Sequence, residues 1–203
     1  MRQFIKTVVA TDGYKEIEQR GDKYVVHLLP VEDKESGTTA CWETMTDAEP
    51  DMANLTSELE AFQSHIADVE LRIAKQQKIA EIAAYDVSTA VNSFEIQNNG
   101  EKVTDYWIGR DLRTSLEGDV LAAESVGSTY KFDIREMGVT LELDCVKFLA
   151  ALAVLRRYAY TAYNVTSQHI ANVNALTSVA EVEAYDYTQG YPGKLVFDIA
   201  ELR

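Results

Sequence analysis

The segment DMANLTSELEAFQSHIADVELRIAKQQKIAEIAA, Asp51 to Ala84, decides how this chain is built. Met52, Leu55, Leu59, Phe62, Ile66, Val69 and Ile73 recur at alternating intervals of three and four, and Gln76, Ala80 and Ala83 continue the same seven-residue period. Such spacing lines apolar side chains along one side of an α-helix, and it is the spacing at which helices of separate chains interlock. Pro50 suits a first turn, and Ser57 with Glu60 three residues later forms a further capping pair. Leu59, Ile66 and Ile73 at one core position, with Leu55, Phe62 and Val69 at the other, accommodate two or three strands. A long amphipathic helix lying on its own domain gives nearly the same pattern, because the helical and heptad periods drift apart slowly. Ile79 and Ile82 widen the stripe near its end. That end is expected to meet a globular domain, and the earlier part is the better seam between copies.

Outward from this helix, the chain reads as an α+β protein in three parts. Residues 1–46 form a small β module from QFIKTVVA, KYVVHLLPV and TTACWETM, separated by Asp12-Gly13, Gly21-Asp22 and the Lys34–Gly37 cluster. So short a module buries little core, so it is expected to dock on another chain or on its own larger domain. Residues 47–84 are the helix. Residues 85–203 form a domain of hairpins packed on a long central helix. FEIQ and VTDYWI flank an Asn98-Asn99-Gly100 turn, residues 109–125 read as helix, and YKFDI and VTLELD flank Met137-Gly138. Asp144 caps a long helix that is apolar nearly all round at Phe148, Leu149, Leu152, Val154 and Leu155, which predicts a position central to a core. Its tyrosines, Tyr158, Tyr160 and Tyr163, read as core or interface packing. Thr177 or Ser178 starts a short helix, and KLVFDI closes as a strand.

Composition narrows the function. The 33 acidic against 19 basic residues give a net charge of −14, which opposes binding to nucleic acid or to anionic membrane surfaces. No run of ~18 apolar residues long enough to span a membrane occurs. The opening MRQFIKTVVATDG lacks the uninterrupted apolar stretch of a secretory signal. Cys41 and Cys145 have no metal-ligand spacing around them. His27, His65 and His169 fall in three different regions, so neither a metal nor another cofactor is expected.

Catalysis finds little support. A nucleophile reading would need Cys145 or Ser167 beside His169, with Asp186 orienting the ring, yet Ser167 and His169 share a helix at a separation that points them apart. Asp133 with Glu136, and Glu142 with Asp144, read as solvated pairs rather than as the two carboxylates of a glycosidase. GRDLRTSLEG lacks the terminal Lys and hydroxyl residue of a nucleotide loop.

An internal echo links EIAAYDVST at Glu81 to EVEAYDYTQ at Glu181. It reads as a repeated helix stop, with Tyr85 or Tyr185 anchoring the last turn and Asp86 or Asp186 bonding the turn backbone. Four segments then carry a resemblance: IAKQQKIAEIAAYDVSTAVNSFEI (Ile73–Ile96), Trp107-Ile108 followed by Arg113 and Leu116, TAYNVTSQHI (Thr161–Ile170), and VEAYDYTQGYPGKL (Val182–Leu195). In this order they resemble an uncharacterised, tail-fibre-like domain family of phages and prophages of gut bacteria, over about 75–200. The matching positions include Tyr85, Asp86, Asn92, Trp107, Arg113, His169, Tyr185, Asp186, Tyr191 and Pro192. After the tryptophan the family reads Leu-Asp-Lys, a variable residue, then Thr-Arg; here Ile108, Gly109, Arg110, Asp111, Leu112 and Arg113 stand instead, so the aspartate and threonine are lost or shifted.

The resemblance implies a non-enzymatic virion component, made in the bacterial cytoplasm, that associates with itself and with other virion proteins. An assembly chaperone or adaptor is the alternative, and a host-surface-binding module or hydrolase a more distant one.

Overall fold

The computed structural model describes residues 2–203. The chain is a mixed α+β protein that divides into two compact units, the first reaching to Arg72 and the second spanning Ile73–Arg203. The division falls inside one helix, so the helix is not a module of its own but is shared between the units.

In the first unit, strands β1 (Ile5–Ala10), β2 (Ile17–Arg20), β3 (Lys23–Asp33) and β4 (Thr38–Thr46) form an antiparallel sheet in the order β1-β4-β3-β2. Three of these match the strands read from sequence; β2, a short edge strand with a single alternation, does not stand out there. Helix α1 runs from Met52 to Asp86. Its cap is Asp51, whose carboxylate accepts from the backbone N–H groups of Ala53 (3.1 Å) and Asn54 (3.2 Å). The expected Ser57–Glu60 capping pair is therefore corrected, because Asp51 already satisfies the first free N–H groups and Ser57 lies within the helix.

Residues paired across neighbouring strands share a face, which places Val26, Leu28 and Trp42 together through the pairs Val26–Thr44 and Leu28–Trp42. Against them pack Phe4, Leu55 and Leu59 as a small core, with Met52 and Phe62 at its margin. Phe62 lies 5.5 Å from the Phe4 ring and meets Trp42 edge to face at 6.1 Å. Four of the expected seam residues, Met52, Leu55, Leu59 and Phe62, thus have their apolar surface used by the chain's own sheet. Of the seam, Ile66, Val69 and Ile73 remain outside this core.

The second unit holds a three-stranded sheet ordered β6-β5-β9 and a hairpin of β7 and β8. Its elements are β5 (Phe94–Asn98), β6 (Glu101–Tyr106), α2 (Arg110–Ser125), β7 (Tyr130–Ile134), β8 (Val139–Leu143), α3 (Cys145–Ala175), α4 (Val179–Ala184), β9 (Leu195–Asp198) and α5 (Ile199–Leu202). The β5–β6 turn uses Asn99 (φ 51°) and Gly100 (φ 87°), the left-handed pair that a two-residue hairpin matched to strand twist requires. α5 escaped sequence reading because a single turn carries no period.

α3 buries one stripe, Cys145, Phe148, Leu152, Leu155, Tyr158, Ala162, Thr166, His169 and Val173, and leaves Val146 and Val154 exposed. The expectation of a helix central to a core is corrected on this point: one face packs, against Phe94, Ile96, Leu116, Val120, Ile134 and Leu141 among others, and the rest is solvated. The internal echo acquires a spatial meaning. Each copy ends a helix and leads to a strand, and those strands, β5 and β9, pair in parallel from Phe94–Leu195 to Gln97–Asp198.

Within the second unit's part of α1, Ile82 is 0% exposed whereas Ile73 is 46% exposed. Ile82→Ala should lower stability by about 2–5 kcal/mol and Ile73→Ala by under about 1 kcal/mol in dilute protein, read from denaturant midpoints. Equal losses at both positions would contradict this placement.

Candidate functional site

The residues singled out by the resemblance gather at two places in the second unit. The first is a polar clasp joining the end of α1, the second half of α3 and the segment after α4. Thr166 donates its hydroxyl proton to Asp86 Oδ1 at 2.6 Å, and so accepts from the Tyr191 hydroxyl at 2.9 Å. One turn further along α3, His169 Nε2 lies 2.9 Å from the Gln189 carbonyl, which can only accept, so Nε2 carries the proton. In the neutral ring Nδ1 then accepts from the Tyr185 hydroxyl at 2.8 Å, and that oxygen in turn accepts from Asn172 Nδ2 at 3.0 Å. Aromatic edges close the gaps: Tyr85 meets Tyr187 at 5.6 Å and Tyr191 at 5.4 Å, both T-shaped, each worth about 0.5–1.5 kcal/mol.

No buried side-chain polar atom of this network is left without a hydrogen-bond partner among the described residues, which suits a fastening. Burial raises the Tyr191 phenol above its ordinary range, and the hydrogen bond to Thr166 only partly offsets this. Asp186 bonds its own turn as expected, accepting from the backbone N–H of Thr188 at 2.9 Å and its hydroxyl at 2.7 Å. Those two donors, the hydroxyl first, hold its carboxyl below the usual aspartate range. The matching role for Asp86 is corrected. It bonds Thr166 across the fold instead, and the turn after α1 is closed by Ser88, whose N–H and hydroxyl both donate to the Tyr85 carbonyl.

The second place is built around Trp107. Arg113 is buried, sits 5.2 Å from the indole ring centre and donates through Nη1 to the Ile108 carbonyl at 2.6 Å. Burial and the neighbouring charge of Arg156 pull its pKa below the ordinary arginine value. Tyr158 packs on Trp107 at 6.3 Å and donates to the Val91 carbonyl at 2.9 Å, which fixes the loop that holds Asn92. Gly109 precedes α2 with no side-chain cap. Pro192 is half-buried beside Tyr191.

No catalytic set assembles from the residues weighed for one. Cys145 and His169 lie on the same helix, about 36 Å apart at ~1.5 Å per residue, and Cys145 Sγ donates to the Ser128 carbonyl. Ser167 donates back to the Tyr163 carbonyl within its own helix. Asp133 accepts from Thr140, Asp144 caps α3, and Glu142 faces Lys131, so neither acidic pair frames a shared site. His27 bonds the Lys15 carbonyl at 2.6 Å and faces Glu43 at 3.3 Å, whereas His65 is exposed. Among the described residues no group of three potential ligands converges for a metal, and no helix is long and apolar enough to cross a membrane.

Sequence reading missed Thr166, Asn172 and Gln189. Thr166 and Asn172 stand three residues either side of His169, so their shared helix face was readable, but the partner 16 to 25 residues further on was not. No protein-family model, curated protein or solved structure matches the chain.

Replacing Thr166 by Val keeps the side-chain shape but strands the Asp86 carboxylate and the Tyr191 hydroxyl. We expect a loss of about 1–3 kcal/mol in chemical denaturation, with earlier proteolysis of residues 185–194. An unchanged stability and cleavage pattern would remove the clasp as a fastening.

Proposed function

We propose that the chain is a non-enzymatic assembly subunit that acts by associating with a second copy of itself and docking into a larger particle. One observation carries this reading: apolar side chains crowd the surface of the first unit. Ile5, Val8, Ile17, Leu29, Val31 and Met45 are all exposed, around a core of five buried residues. Val8 and Val31 are 63% and 67% exposed and both pair with Ala40, so they form an open apolar row across β1, β4 and β3. A soluble unit of this size seldom leaves such a row uncovered unless another surface meets it.

The row alone is small beside the ~1,200–2,000 Å² of a stable interface. Ile66, Val69 and Ile73 extend the apolar surface at heptad spacing along α1, which favours a second copy bringing an equivalent helix. Among the described residues the outer edges of β1 and β2 have no strand beside them, which supports docking of the sheet as well. The setting in a bacteriophage particle rests on the resemblance of the segments between Ile73 and Leu195. The charge of −14 fits a subunit that stays soluble before it docks. The hydrogen-bonded clasp supports a fastening within the second unit rather than a reaction centre.

Light scattering behind size exclusion should give a dimer or trimer. Ile66→Asp with Ile73→Asp, and separately Val8→Lys with Val31→Lys, should shift it toward monomer by more than about tenfold in dissociation constant, since buried unpaired charges are costly. The circular dichroism of both variants should stay native. Retention of native mass by both pairs would remove the self-association reading, and absence of the protein from purified particles would favour an assembly chaperone.

A further inference from the structure

Between α2 and α3 lies a groove of about 550 Å³ lined by Arg110, Arg113, Thr114, Arg156, Ala159, Tyr160 and Tyr163. Three arginines on one concavity stand out in a chain with 33 acidic and 19 basic residues. At Arg113 burial disfavours the charged form most, Arg156 and more weakly Arg110 add to this, and Glu117 opposes them. Arg110 and Arg113 also occupy the start of a helix, where the backbone dipole favours anions and disfavours cations. Asp111 shares that turn, and Arg156 donates to Glu117, yet the groove keeps an excess of positive charge. Cations held together against both terms make a place for an anion.

The groove also has an organic wall. Tyr160 and Tyr163 are 66% and 63% exposed, one turn apart, although the neighbouring Tyr158 is buried. Large aromatic surface left in water beside arginines is the composition that binds rings carrying acidic groups. A volume of this size matches a small ligand rather than a flat protein interface. Because both tyrosines stay open to solvent, a ligand here keeps one face hydrated. That suits a polyhydroxylated ring, and it would leave the apolar face of a nucleobase wet.

We propose that the α2–α3 groove binds an acidic saccharide, with a carboxylate or phosphate held by Arg110 and Arg156 and a sugar ring lying against Tyr160 and Tyr163. Arg113 is the fixed member of the set: its contacts with Trp107 and the Ile108 carbonyl hold its charge at the floor of the groove. The site uses no residue of the apolar row of the first unit or of the clasp.

The test is calorimetry on the full chain with trigalacturonate, sialyllactose and glucose 6-phosphate, against neutral galactotriose, inorganic phosphate and uridine monophosphate. At least one acidic saccharide should bind at micromolar to millimolar strength. Arg110→Ser and Arg156→Ser should each weaken it about tenfold or more, as expected for a charge-assisted hydrogen bond, and Tyr160→Ala should weaken the saccharide without changing phosphate. The chain has two tryptophans, so its indole N–H signals in NMR report the location. The signal of Trp107 should move and that of Trp42 should not. Binding by none of the acidic saccharides, equal binding of galactotriose, tighter binding of uridine monophosphate, or affinity unchanged in the arginine variants would each overturn the proposal.

Discussion

The buried stripe of α3 changes chemistry halfway along its length, and the second unit depends on that change. From Cys145 to Leu155 the stripe is apolar and closes the core against both sheets and α2. From Tyr158 to His169 it presents a phenol, a small residue, a hydroxyl and an imidazole on the same line. A helix whose stripe stayed apolar would collapse onto any apolar surface near it, with loose angular preference. Hydrogen bonds to Val91, Asp86, Tyr191, Tyr185 and Gln189 instead specify which segments lie there.

This arrangement accounts for the internal echo. Each copy brings a tyrosine and an aspartate out of a helix and sends a strand into the same sheet. The two copies do not repeat each other's bonds. Asp186 serves its own turn, and Asp86 reaches across to α3, so a shared sequence pattern serves local and long-range ends in the two places.

Function is divided in the same way. The clasp spends its hydroxyl and imidazole groups on hydrogen bonds within the second unit, whereas the exposed apolar and cationic surfaces lie on other residues. The first unit leaves an apolar row open, which favours a protein partner, and the α2–α3 groove leaves an excess of guanidinium charge beside tyrosine rings, which favours an anionic one.

Most elements were legible in the sequence by themselves, because period and punctuation are local. The long helix, both hairpins, the Asn99-Gly100 turn, the Asp144 cap and a start of α4 at Thr177 or Ser178 all follow from residues within one or two turns of one another. Tertiary structure alone decided which face of each helix is used. The heptad stripe of α1 is compatible with a partner chain or with the chain's own sheet, and only packing shows that Leu55 and Leu59 take the second course. The clasp and the groove were invisible for a related reason: Thr166 meets Asp86 across 80 residues of chain, and Arg156 meets Glu117 across 39. Periodicity says that a side chain lies on a face, but the identity of what faces it is set by closing long loops, and no local pattern encodes that.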